Sequence, residues 1–109
     1  MNIIFMGTSL YAKVILEHIL KCENINVLAL FTQPDKPSGR KQILTPPETK
    51  DFLIKNSFNI PIYQPEKLRE KENVEIIKSL NADFIVVASY GQILSKDILE
   101  IAPCINLHA

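Results

Sequence analysis

Asn106 and His108 stand one residue apart in an otherwise apolar run, Cys104-Ile105-Asn106-Leu107-His108-Ala109. The run reads as a buried β-strand. Residues two apart on a strand project to the same face, so Asn106 and His108 point together and Leu107 faces away. An amide donor beside an imidazole suits a reaction in which an oxyanion forms and a proton must move. A pair of satisfied polar groups at a strand terminus is the plain alternative. The position at the carboxyl end of a strand in an α/β pattern favours the chemical one.

Three further segments could meet a ligand. Gly7-Thr8-Ser9 follows an apolar run and precedes a helical pattern, so its backbone N–H groups could hold a polar group. A glycine that merely permits a tight turn explains Gly7 equally well. The dinucleotide fingerprint needs two more glycines there, and Thr32-Gln33 replaces the acidic residue that would bind a ribose. Residues 33–45 (QPDKPSGRKQILT) show no clear period and are long for a loop in a compact domain. Lys36, Arg40 and Lys41 on a backbone stiffened by Pro34 and Pro37 suggest a finger that meets phosphates. A solvated surface loop would look the same. Tyr90-Gly91-Gln92-Ile93-Leu94 follows the most apolar segment. It could admit a flat heterocycle, or serve as a turn with core anchors.

These residues need a scaffold that brings them to one edge. Apolar strands are expected at 2–6, 25–32, 60–63, 83–89 and 104–108. Helices are expected at 10–22, 46–56, 70–80 and 96–101. Thr8 or Ser9 would cap the first helix, whose Val14, Ile15, Ile19 and Cys22 face inward. Thr45 and Glu48 have capping-box spacing, with Pro46 at the first helical position. Pro61 marks a strand start or an edge strand. Val74, Ile77 and Leu80 face inward on the third helix, and Asn81 ends it. Ser95 caps the last helix. The order βαβαβαβαβ implies an α/β fold, a doubly wound, mostly parallel sheet with helices on both faces.

With 109 residues and 47% hydrophobic content, the chain can form one core. Twelve basic residues balance twelve acidic ones, so bulk charge selects neither nucleic acid nor membrane. No apolar run suits a spanning helix, and no secretory signal opens the chain. Cys22 and Cys104 lack metal-ligand spacing and read as small buried residues. His18 receives no role.

Thr32-Gln33-Pro34-Asp35-Lys36-Pro37-Ser38-Gly39-Arg40, Gln64-Pro65-Glu66-Lys67-Leu68-Arg69, Ala88-Ser89-Tyr90-Gly91-Gln92-Ile93-Leu94 and Cys104-Ile105-Asn106-Leu107-His108-Ala109 together resemble the methionyl-tRNA formyltransferase family. The match runs in register from Ile3-Ile4-Phe5-Met6-Gly7-Thr8. The Asn-x-His strand is shared with formyltransferases acting on glycinamide ribonucleotide and amino sugars. The QPDKPSGR loop is the part similar to the tRNA-directed members.

The resemblance implies a Rossmann-like formyltransferase fold. It implies formyl transfer from 10-formyltetrahydrofolate to the amine of initiator methionyl-tRNA in translation initiation. Such an enzyme would be cytoplasmic and monomeric when intact, with no metal and no membrane partner. Asn106 would bind the oxyanion of the tetrahedral intermediate and His108 would move the proton. Tyr90, Gly91, Gln92, Ile93 and Leu94 would line the pterin pocket. Arg40 foremost, with Lys36 and Lys41, would meet the acceptor end of the tRNA, and Gly7 and Thr8 would form the turn beside it.

The sequence departs from the family at Ser9-Leu10-Tyr11, where Pro, an acidic residue and Phe are common. It departs again at Arg40-Lys41-Gln42-Ile43, where Arg-Gly-Lys-Lys is common. The resemblance covers only the first part of such an enzyme. Residues 1–109 are therefore expected to be the N-terminal part of the catalytic domain, cut after the fifth strand and inactive alone. The Ser-Leu-Leu-Pro folate segment, the catalytic Asp and a C-terminal tRNA-binding domain would follow. Formyl transfer to a small amine and a non-catalytic nucleotide-binding module are the alternatives.

Overall fold

The computed structural model describes residues 1–108. Five strands form one parallel sheet: β1 (Asn2–Gly7), β2 (Asn26–Phe31), β5 (Ile62–Tyr63), β6 (Phe84–Ala88) and β7 (Cys104–Leu107). Their spatial order is β5-β2-β1-β6-β7. The chain steps outward from β1 to β5, returns to the centre at β6 and continues to β7. The winding reverses between β1 and β6, where open α/β sheets place their ligand crevice.

Alternation along the central strands feeds two cores. Ile3, Phe5, Val86 and Ala88 pack with Ala12 and Leu16 of α1 (Leu10–Leu20) and Leu53 of α2 (Glu48–Lys55). Ile4, Met6, Ile85 and Val87 pack with Val74 and Ile77 of α3 (Lys71–Leu80) and Ile98 of α4 (Lys96–Leu99). Helices thus cover both faces, as the pattern predicts. Each fully buried Phe, Ile or Leu contributes about 1.5–3 kcal/mol. A bulge shifts the partner of β1 from Val27 at Ile3 to Ala29 at Ile4. The extra residue, Leu28, brings Leu30 beside Phe5 on one face and Phe31 beside Met6 on the other.

Several local expectations are corrected. The 33–45 segment is not irregular: β3 (Lys36–Ser38) and β4 (Ile43–Thr45) pair antiparallel as a hairpin. Gly39 at φ 73° and Gln42 at φ 50° shape its turn, and Gln42 Nε2 donates to Gly39 O at 2.9 Å. Three-residue strands are too short for alternation to be read. Thr45 belongs to β4 and donates to Ile43 O rather than capping α2, whose N-cap is Pro47. Neither Thr8 nor Ser9 caps α1 with its side chain; both hydroxyls turn toward the 89–90 backbone and side chains instead. Ser95 sits at the N-cap of α4 without a side-chain cap bond.

On α1 the buried stripe is Ala12 and Leu16. Val14 is exposed, and so is Cys22, which lies past the helix end. Cys104 is half-buried. The last strand is not buried. It is the edge of the sheet, paired only with β6 among the described residues, and Ile105 through His108 are exposed. Pro61 precedes the opposite edge strand, as expected, and Asn81 ends α3 in the left-handed region at φ 52°. No described helix is long and apolar enough to cross a membrane.

Candidate active site

At the switch point, Gly7 of β1 pairs with Ala88 of β6. A Cβ on Gly7 would lie 2.6 Å from both Ala12 Cβ and Ala88 O. Close packing of strand and helix therefore explains this glycine. Thr8 follows, and its N–H donates to Ser89 O at 3.0 Å while its hydroxyl donates to Tyr90 O at 2.6 Å. Ser9 Oγ lies 2.8 Å from Ser89 Oγ. Ser89 itself is in the left-handed region at φ 48°, unusual for a residue with a Cβ. Such backbone clusters at ligand sites, where surrounding bonds hold it.

Asn106 lies beside Val87 in the parallel register, so it shares the α3–α4 side of the sheet with Cys104. Asn106, Leu107 and His108 line a cavity of about 330 Å³ with Tyr11, Ser89, Tyr90, Gly91 and Gln92. The backbone carbonyl of His108 accepts from Tyr11 Oη at 2.8 Å, which anchors the strand end to α1. A second cleft of about 300 Å³ lies at the base of the hairpin, between Thr8, Ser9 and Gln33 on one side and Lys36, Thr45 and Pro47 on the other. Ser9 lines this cleft and Ser89, its hydrogen-bond partner, lines the first cavity. A third cavity, about 510 Å³, is lined by Glu66, Arg69, Gly91, Gln92, Ile93 and Ser95. Gly91 and Gln92 are common to the first and third. Asn106 and His108 thus line one of three recesses built largely from residues that follow the carboxyl ends of the strands.

The 89–94 loop is tied down. Gln92 Oε1 accepts from Leu68 N–H at 2.7 Å, and Gln92 Nε2 lies 2.8 Å from both Gln33 Oε1 and Pro65 O. Gly91 has φ 102° and Gln33 Nε2 donates to its carbonyl. Tyr90 is buried, and burial pushes its phenol above its ordinary value. Leu94 packs toward the α3–α4 core while Ile93 is 93% exposed. Of the five residues, Tyr90 and Gln92 therefore carry structure as well as lining cavity, and Ile93 is open to a partner.

Lys36, Arg40 and Lys41 are exposed on the hairpin, which is a separate two-stranded sheet tied to the fold at its base. There Lys50 Nζ holds Asp35 Oδ1 at 3.0 Å and Gln64 Oε1 at 2.9 Å, and Gln64 Nε2 donates to Asp35 Oδ1 at 2.7 Å. The Gln64 amide, then Lys50, holds the Asp35 carboxyl below its ordinary value. Burial pushes the Cys104 thiol up, which weighs against a nucleophilic thiolate.

Sequence reasoning missed the supports. Thr49 and Thr32 are fully buried, and Thr49 Oγ1 donates to Gly7 O at 2.9 Å with Thr32 Oγ1 at 3.1 Å. Gln33, Gln64 and Lys50 were likewise unread. A threonine closing an apolar strand was the available signal for Thr32. The partners come from residues 14 to 59 positions away, and nothing local marks them.

The reversal of a parallel sheet between β1 and β6, with helices on both faces, defines a doubly wound α/β domain. The chain matches the formyl transferase family model over residues 1–109, and it belongs to that family. It is 62% identical over 108 residues to a methionyl-tRNA formyltransferase of Campylobacter fetus subsp. fetus, covering 99% of this chain and 36% of that protein. It is 59% identical over 108 residues to that of a Campylobacter jejuni strain, covering 99% and 35%. It is 58% identical over 109 residues to that of a Nitratiruptor species, covering 100% and 35%. The chain thus spans only 35–36% of the length of these relatives.

Proposed function

We propose that this chain is the N-terminal part of a formyltransferase catalytic domain whose complete enzyme moves a formyl group from 10-formyltetrahydrofolate to the amine of initiator methionyl-tRNA. The observation that carries the reading is the cavity where Asn106 and His108 open beside Tyr90, Gly91 and Gln92 at the sheet reversal. It agrees with the names of relatives at 58–62% identity.

The attacking amine forms a bond to the formyl carbon, and the bond from that carbon to the donor nitrogen breaks. Between these events the formyl oxygen carries negative charge. The Asn106 amide is the donor for that oxygen, and His108 takes the proton the amine must lose and returns it to the departing donor nitrogen, which leaves as a neutral amine. The 89–94 loop with its neighbouring recess serves the donor; the residues Gly91, Gln92 and Ile93 offer backbone polar groups and one exposed apolar side chain there. The cleft beside Thr8 and Lys36 serves the acceptor end, with Arg40 and Lys41 on its phosphates. The remaining polypeptide of the relatives' length would supply the rest of the domain and a tRNA-binding domain.

The test is an acceptor panel with the full-length protein. Methionyl-tRNA, glycinamide ribonucleotide and an amino-sugar nucleotide are offered with the same donor. Formylation of methionyl-tRNA above the others is expected, and Arg40→Ala should weaken the tRNA reaction more than donor binding. Preference for a small amine, or an equal defect on both substrates, contradicts the reading.

A further inference from the structure

We propose that Gln33 is a positioning residue that locks the hairpin base to the 89–94 loop, so that the acceptor-side and donor-side recesses respond to each other. The proposal rests on the formyl-transfer reading of those two segments.

Gln33 uses every polar group it has, on three different segments. Its N–H donates to Thr8 Oγ1 at 3.3 Å and its carbonyl accepts from Gln64 Nε2 at 3.1 Å. Its side-chain Nε2 donates to Gly91 O at 3.2 Å, and Oε1 accepts from Gln92 Nε2 at 2.8 Å. The β1–α1 turn, the 64–68 segment and the 89–94 loop thus meet on one residue. Gly91 is shaped to receive it. A Cβ there would stand 2.8 Å from Gln33 Nε2, and φ 102° already disfavours any other residue.

Two residues on, Asp35 is clamped by Lys50 and Gln64, and the hairpin begins at Lys36. A force on the hairpin therefore reaches Gly91 and Gln92 through a short chain of hydrogen bonds. Gln92 passes it to Leu68 N–H and Pro65 O. Coupling between two ligands needs a connecting element that both bias, and it acts equally in both directions.

Two variants of the full-length protein test this. Gln33→Leu keeps the backbone bonds and the bulk but removes both side-chain bonds. Gln33→Glu keeps an acceptor for Gln92 and loses the donor to Gly91 O. The first readout is the factor by which saturating tRNA tightens binding of a non-reactive folate analogue. A factor of roughly 5 or more is expected in the wild type, approaching 1 in Gln33→Leu, with Gln33→Glu between them. A factor unchanged in Gln33→Leu, or a wild type that transfers formyl with no coupling, overturns the proposal.

The second readout is amide hydrogen exchange without ligands. Gln33→Leu should speed exchange in both 34–45 and 89–94 while β1 and β6 keep their protection; acceleration in only one segment overturns the lock. Absence of formyl transfer in the wild type would strike the underlying reading, and the exchange result would still decide the lock. If Gln33→Leu does not fold, Gln92→Leu removes the Gln92 half of the link and leaves the bond to Gly91 O, so the coupling factor should fall part of the way and exchange should still rise in both segments; no change in either overturns the lock.

Discussion

The hairpin at 36–45 and the loop at 89–94 both leave the carboxyl edge of the sheet, yet they are built in opposite ways. The hairpin is exposed along its whole length, including Ile43 at 62% and Leu44 at 66%. Among the described residues its ties to the rest of the fold lie at its base, through Gln33, Asp35, Lys50 and Gln64. The loop is short, carries two residues at positive φ and is bonded to Thr8, Gln33, Pro65 and Leu68. A surface that meets a large polyanion can keep its cations in water until contact. A recess for a small flat molecule has to be set in advance, because looseness there is lost affinity. The difference in construction fits the two ligands proposed for these regions.

That contrast can be broken by stability measurements on the full-length protein. Gly91→Ala should do most harm. It forces a Cβ onto Gln33 and an unfavourable φ, for an expected loss of about 3 kcal/mol in denaturant unfolding. A loss under about 0.5 kcal/mol would mean the loop yields freely. Gln92→Leu comes next. Leu68 N–H and Pro65 O lose their partner, and an unsatisfied buried group costs about 1–3 kcal/mol. An unchanged midpoint would show that water replaces Gln92 without penalty.

Acid should act on the hairpin base rather than the loop. The Asp35 carboxyl is held below its ordinary value by Gln64 and Lys50. Its tether is therefore fully present above the usual Asp range and is lost as pH falls through the lowered value. Amide exchange across 34–45 should accelerate in that window while 89–94 stays protected, and Asp35→Asn should abolish the pH dependence. Equal acceleration in both segments would erase the contrast. Smallest of all, Leu44→Ser and Arg40→Ala should each change stability by no more than about 0.5 kcal/mol, since neither side chain is buried. A larger loss would reveal a role for the hairpin in the fold.

The order of strands and helices was legible because each central strand is an apolar run and each long helix has its period. The register of Asn106 and His108 at the ligand edge followed from that order. Three things were not legible. The hairpin strands are too short to show alternation, and Lys36-Pro37-Ser38 has no β signature at all. Burial of the last strand was overestimated because Cys104, Ile105 and Leu107 are apolar, while exposure depends on which strand becomes the sheet edge. The bonds that shape the site run between Gln33, Gln64, Thr49 and Gln92, whose pairings are long-range and carry no local mark. Apolar pattern specifies layers; polar supports emerge only after the layers meet.

In the proposed reaction Asn106 stabilises the charge formed on the formyl oxygen. Single-turnover formyl transfer by the full-length protein, with both substrates bound, tests it directly. Asn106→Ala should slow the step by about 10²–10³-fold with little change in binding of either substrate. Near-normal turnover in Asn106→Ala, or a defect that saturating substrate removes, would rule out that role for Asn106.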